Sequence, residues 1–153
     1  SIIFEIKNKF DTKRGIISSV RNNEAEVSAI LNKINISFYW LNHKMEFPFK
    51  INYKTPETLG LDRVSAVAGA MAMFPNSNLL IVDMGTLSGV YNGFKYEILG
   101  MISAYEQQYN DLKIVLTGGD YKLFDLEAKN RIFADDFLVL RGLQQILILN
   151  EKN

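Results

Sequence analysis

The sequence predicts an α/β protein. Three observations carry that reading: short runs rich in β-branched and aromatic residues, helical runs set between them, and polar glycine-bearing turns where apolar runs stop. The chain has 153 residues, 48% of them hydrophobic and 22% charged. It can therefore bury a real core and is unlike a disordered tail. The length suits one ordinary domain or two small lobes.

Residues 2–6 (IIFEI) read as a strand, and 15–20 (GIISSV) as a second, short and largely buried one. Residues 23–34 are helical by pattern, with Ala25, Val27, Ala29, Ile30, Leu31 and Ile34 forming a broad apolar face. Residues 36–41 (ISFYWL) are strand-like. Residues 42–57 lack helical period and contain Pro48 and Pro56, so they read as irregular or extended. A helix follows near 62–74, its stripe being Val64, Val67, Ala68, Met71 and Ala72. Its many small residues would allow close packing, and Pro75-Asn76-Ser77-Asn78 breaks it. Residues 79–82 (LLIV) form an unbroken apolar run, as in strands buried on both faces. A longer helix covers 88–109, with Val90, Phe94, Ile98, Met101, Ile102 and Tyr105 inward. A strand at 112–116 (LKIVL), a helix at 121–129 and a closing helix at 139–149 complete the order. In the closing helix Val139, Leu140, Leu143, Ile146 and Leu147 are read as inward. The aromatics Phe38, Tyr39 and Trp40 read as core or interface, and Tyr105 and Tyr109 as packing on a helix face.

Composition excludes several classes of function. Lys plus Arg and Asp plus Glu both number 17, and no basic cluster exceeds Lys13-Arg14, which argues against nucleic acid or an anionic membrane as partner. There is no cysteine, hence no disulfide framework, thiolate zinc site or cysteine nucleophile. The one histidine, His43, cannot form a His-rich metal site and reads as a surface or strand-end residue. No apolar run approaches membrane-spanning length, and a reducing cytoplasm fits best.

Three turns hold the chemistry-bearing residues. In TPETLGLDRV, Asp62 and Arg63 open a helix. Taken singly, Asp62 reads as an N-cap, the commonest role of such an aspartate; the rival is a carboxylate that deprotonates a hydroxyl, with Arg63 offering a planar fork for carboxylate or phosphate. After LLIV comes Asp83-Met84-Gly85-Thr86. A carboxylate leaving a buried strand can hold a cation, and the glycine lets backbone N–H groups approach an anion. A plain strand-end turn is the competing reading. After LKIVL comes Thr117-Gly118-Gly119-Asp120. Paired glycines at a strand's carboxyl end permit close approach of a ligand, while a tight turn with Asp120 as N-cap explains the same residues.

The order of the three motifs changes their weight. GLDR, then DMGT, then TGGD resembles the type III pantothenate kinases of the actin-like ATPase superfamily, and TPETLGLDR is a long match to that family's pantothenate segment. IFADDFLVLRGL is similar to its closing strand and helix. The resemblance implies an actin-like ATPase fold, two ribonuclease H-like lobes with mixed sheets flanked by helices, divided as 1–75 and 76–153. It implies ATP-dependent phosphorylation of pantothenate to 4'-phosphopantothenate, the first step towards coenzyme A. By motif, Asp62 would be the catalytic base. Tyr53, Gly60, Leu61 and Arg63 would contact pantothenate. Asp83 would bind a monovalent cation, K+ or NH4+, and Thr86 an ATP phosphate, while Gly118 and Gly119 would meet the adenosine end. Mg2+ and a homodimer are implied as well.

The chain departs from the family pattern in three places. The DxGNT-type phosphate loop that should open the first lobe is absent. Leu87-Ser88-Gly89-Val90 follows Asp83-Met84-Gly85-Thr86 at once, where the family continues with a hairpin and a glycine-rich stretch. Phe10 to Arg14 likewise joins two strands without the expected helix. We therefore expect segments of the family to be missing from this chain. A non-catalytic regulatory relative and a different small-molecule kinase are the rival readings.

Overall fold

The computed structural model describes residues 13–19, 24–33, 36–84, 91–120 and 131–151. Strands and helices alternate as far as β4: β1 (Arg14–Ile17), α1 (Glu24–Asn32), β2 (Ser37–Trp40), α2 (Leu61–Met73), β3 (Leu79–Asp83), α3 (Tyr91–Gln108), β4 (Lys113–Thr117), then β5 (Ile132–Ala134) and α4 (Leu138–Asn150). A single 3-10 turn, Pro56–Thr58, precedes α2.

Helices between strands force parallel pairing, because a parallel neighbour is reached only by a long crossover. Across α1, β1 pairs with β2, Arg14 opposite Ser37 and Ile17 opposite Trp40. Across α3, β3 pairs with β4, and β5 closes the order β3-β4-β5. The register sets Asp83 opposite Thr117 and Leu116 opposite Ala134, so three carboxyl ends lie side by side. All pairings among the described residues are parallel, where the resemblance led us to expect mixed sheets. An antiparallel partner arrives through a hairpin. The strand expected at 2–6, the stretch after Met84 and the helix expected at 121–129 lie outside the described residues.

The central strand explains the layering. Side chains alternate across a sheet, so Ile114 and Leu116 of β4 face one way and Val115 the other. Ile114 and Leu116 are buried with Met84, Ile98, Ile102 and Leu112, which puts α3 on that face. Val115 is buried with Ala66, Ala70 and Leu138, which puts α2 and α4 on the opposite face. The same helix pair also reaches the first sheet: Ala68, Leu143 and Ile146 are buried with Leu41, and Ile16, Met45, Phe47 and Phe49 pack around them.

This placement corrects three burial expectations. On α2, Ala72 is exposed, while Ser65, Ala66, Gly69 and Ala70 join Val64 and Ala68 inside. A helix with sheets on two sides and another helix on a third buries far more than one stripe. On α4, Leu140 is 60% exposed and the buried set is Leu138, Gly142, Leu143 and Ile146. The helix begins one residue earlier than the pattern indicated, and its seam follows the close approach to α2. On α3, Met101 and Tyr105 are exposed, because only the Ile98–Ile102 line meets the sheet.

Candidate active site

The turn that begins α2 removes the capping reading of Asp62. The N-cap is Gly60, with φ −55° and ψ 127° and no side-chain cap hydrogen bond. The first helical bond runs from Val64 N–H to the Gly60 carbonyl. Asp62 is thus the second helical residue, not the cap, and both Asp62 and Arg63 are exposed. Its carboxylate folds back over Gly60: a Cβ built on Gly60 would run into Asp62 Oδ1. The first-turn N–H groups of α2 keep no side-chain acceptor at Gly60 and are available to an anion.

Chain direction places this turn with the other motifs. From Asp62 to Phe74 the helix spans about 18 Å, the Phe74–Asn78 turn reverses the chain, and β3 returns roughly 13 Å to Asp83. Ala66 and Ala70 of α2 lie against Leu79 and Ile81 of β3. The start of α2 and the end of β3 therefore share one end of the molecule, the carboxyl edge of the β3-β4-β5 sheet.

At that edge the second and third motifs interlock. Met84 N–H donates to the Thr117 carbonyl at 2.8 Å, and Asp120 N–H donates to the Met84 carbonyl at 3.2 Å. Gly118 has φ +93°, and a Cβ there would strike the Met84 carbonyl and lie 2.7 Å from Asp83 Oδ1. Asp83 is exposed, with its carboxylate over the Gly118 backbone. Among the described residues nothing lies within 4 Å of a Cβ on Gly119. Thr86 lies outside the described residues. Tyr53 is 51% exposed on the extended stretch ahead of α2.

The sequence reading missed Asp135. It follows β5 at the same edge and is buried. Its Oδ1 accepts from Phe137 N–H at 2.7 Å, and its Oδ2 pairs with Arg141 Nε at 2.6 Å. Its carbonyl accepts from Thr117 Oγ1 at 2.9 Å. Asp135 therefore ties the Thr117–Gly118 turn to the start of α4. The available signal was an aspartate between a short apolar run and an amphipathic helix with an arginine six residues on.

Among the described residues no three His, Asp or Glu side chains cluster as a metal site. Asp83 offers a single carboxylate. That fits an ion held mainly by carbonyl, water and phosphate oxygens rather than by a cage of carboxylates.

An exposed carboxylate and guanidinium at a helix start share one end of the molecule with glycine turns on the carboxyl edge of a parallel sheet, the edge at which open α/β sheets bind their ligands. The comparisons make this specific. The type III pantothenate kinase family model matches residues 4–91. A type III pantothenate kinase of Bacteroides fragilis strain YCH46 is 32% identical over 199 aligned positions, covering 94% of this chain and 82% of the relative. Namesakes from Cytophaga hutchinsonii and Christiangramia forsetii are 31% and 29% identical, covering 88% and 95% of this chain and 80% and 83% of their own. The chain belongs to the type III pantothenate kinase family. An alignment of 199 positions against a chain of 153 also means that the relative has inserted residues with no counterpart here.

Proposed function

We propose that this chain is a kinase that uses ATP to phosphorylate the primary hydroxyl of pantothenate, giving 4'-phosphopantothenate for coenzyme A biosynthesis. The observation that carries the reading is the Gly60–Arg63 turn: a carboxylate released from capping, beside a guanidinium, on the same sheet edge as Asp83 and Gly118. Asp62 accepts the hydroxyl proton while the hydroxyl oxygen bonds to the γ-phosphorus. The bond from that phosphorus to its bridging oxygen breaks, and ADP leaves. Such transfer relies on positioning and charge neutralisation more than on covalent help. Arg63 pairs with the pantothenate carboxylate through its planar fork, and Tyr53, Gly60 and Leu61 line the same site.

On this reading Asp83 holds a monovalent cation, K+ or NH4+, and Thr86 contacts an ATP phosphate. Gly118 and Gly119 let the adenosine end lie against backbone. Mg2+, when bound, neutralises charge on the phosphate oxygens. The assembly is a cytoplasmic homodimer of two ribonuclease H-like lobes, 1–75 and 76–153, with no nucleic-acid or membrane partner. Among the described residues no helix is long and apolar enough to cross a membrane.

The test is Asp62→Asn in an assay of pantothenate-dependent ADP release. Loss of a general base lowers kcat by about 10²- to 10⁴-fold, with the circular dichroism spectrum unchanged because Asp62 is exposed and caps nothing. Near-normal kcat would remove Asp62 from the base role.

A further inference from the structure

The stretch between β2 and α2 is a strap of two unlike halves. In the first half Met45, Phe47 and Phe49 alternate inward onto the core around Leu41 and Ile146, with Lys44, Glu46, Pro48 and Lys50 outward. The side chain of Asn150, at the end of α4, holds this half as well. Its Oδ1 accepts from Glu46 N–H at 3.0 Å, and its Nδ2 donates to the Glu46 carbonyl at 2.9 Å. In the second half every residue from 52 to 58 is exposed. That half contains Tyr53 and runs directly into Leu59 and Gly60.

One side chain joins the two ends of the strap. His43 Nε2 lies 2.8 Å from the Leu59 carbonyl across 16 residues of chain. A carbonyl only accepts, so Nε2 holds the proton. The His43 end is fixed by Asn42, whose Nδ2 donates to the Trp40 carbonyl and whose Oδ1 accepts from Lys44 N–H, both at 2.9 Å. The Leu59 end is fixed by the 3-10 turn, where Thr58 Oγ1 and Thr55 Oγ1 lie 2.6 Å apart and Leu59 N–H donates to the Pro56 carbonyl.

We propose that His43 is a positioning residue for substrate. Its hydrogen bond to Leu59 closes the exposed half of the strap and so sets Tyr53 and the approach to Gly60, while Asp62 and Arg63 ride on the first turn of α2. The proposal rests on the reading of that turn as the pantothenate site. It assigns His43 no contact with the reacting atoms. Leu59 stands three residues before Asp62, and no buried apolar side chain in 52–58 can substitute for the lost tie.

The experiment compares wild type with His43→Ala, His43→Gln and His43→Asn. A glutamine amide reaches where Nε2 was, and an asparagine amide falls short. With a net hydrogen bond's worth of positioning lost, KM for pantothenate should rise about three- to tenfold in His43→Ala. The alanine variant should keep kcat near wild type, the glutamine should restore KM, and the asparagine should not. Limited trypsin digestion read by mass spectrometry should show faster cutting after Lys54 in the alanine and asparagine variants and not in the glutamine variant, independently of turnover. Unchanged KM and unchanged cutting at Lys54 in His43→Ala overturn the role of His43 while leaving Asp62 untouched. Faster cutting with KM unchanged also overturns it, since the strap would then be closed without serving substrate. If wild type itself does not act on pantothenate, the reading of the site fails, and the proposal falls with it whatever trypsin shows of the strap.

Discussion

At the scale of single residues, two glycines at the site differ in kind. The backbone angles at Gly60 are ordinary for any residue, and only the far end of the Asp62 side chain occupies the space of a Cβ. In Gly60→Ala, the entropy removed from the unfolded chain is worth about 0.4–1 kcal/mol. The poorer alanine N-cap takes back a similar amount, about 1 kcal/mol or less. The expected result is an unchanged Tm with kcat reduced, because the methyl turns the Asp62 carboxylate out of place. A full-rate Gly60→Ala enzyme would show that the observed Asp62 orientation is not the working one. Gly118 is the opposite case. Its φ of +93° and the Met84 carbonyl leave no cheap route for a side chain. Gly118→Ala should cost about 1–3 kcal/mol, seen as a lower Tm in a ligand-free thermal melt. The sequence announced both glycines through their motifs. It did not announce that Gly60, rather than Asp62, is the cap, since capping depends on where the first helical hydrogen bond falls. Asp135 escaped notice for a similar reason: its partners Thr117 and Arg141 come from separate elements.

At the scale of elements, the contact between α2 and α4 is the most demanding feature of the fold. A Cβ on Gly142 would overlap the Ser65 carbonyl, and one on Gly69 would overlap the Leu138 carbonyl. The helices meet backbone to backbone, so neither can yield without separating the pair that serves both sheets. Gly142→Ala should therefore cost about 1–3 kcal/mol by overpacking, a fall in Tm of roughly 3–10 °C for a chain of this size. The control is the same change at Gly100, exposed within α3 with nothing among the described residues within 4 Å of its Cβ. There alanine should add about 0.5–1 kcal/mol, because glycine is a poor helix former. Equal shifts at the two sites would mean that helix propensity alone is at work and that the α2–α4 contact is looser than described. The alternation of elements was legible because periodicity survives in short windows. The inward faces of α2, α3 and α4 were legible only in part. Leu140 and Tyr105 fit an apolar stripe equally well whether a neighbour covers it or not, and the neighbour is chosen by topology.

At the scale of the molecule, the site divides into a part this chain holds continuously and a part spread over distant turns. Tyr53 through Arg63 is one uninterrupted stretch, held to the core through Leu61 and to the sheet edge by the run of α2. On the proposed reading the phosphate-handling part draws on Asp83, Gly118 and a loop that the sequence does not show, and an alignment of 199 positions against a chain of 153 agrees that the relative carries residues with no counterpart here. Binding of pantothenate can therefore be measured apart from phosphoryl transfer. A ligand that binds only the folded state stabilises it by about 2.7 kcal/mol at a hundred times Kd. For a chain of this length that is a rise in Tm of roughly 5–11 °C. On the proposed roles, with the Asp62 carboxylate acting on the hydroxyl and the Arg63 guanidinium holding the carboxylate end, the shift should survive Asp62→Asn and disappear in Arg63→Ala. Loss of the shift in both variants would make Asp62 a binding group first. A shift that persists in Arg63→Ala would move the pantothenate site away from the start of α2, and with it the function argued for His43 and Tyr53.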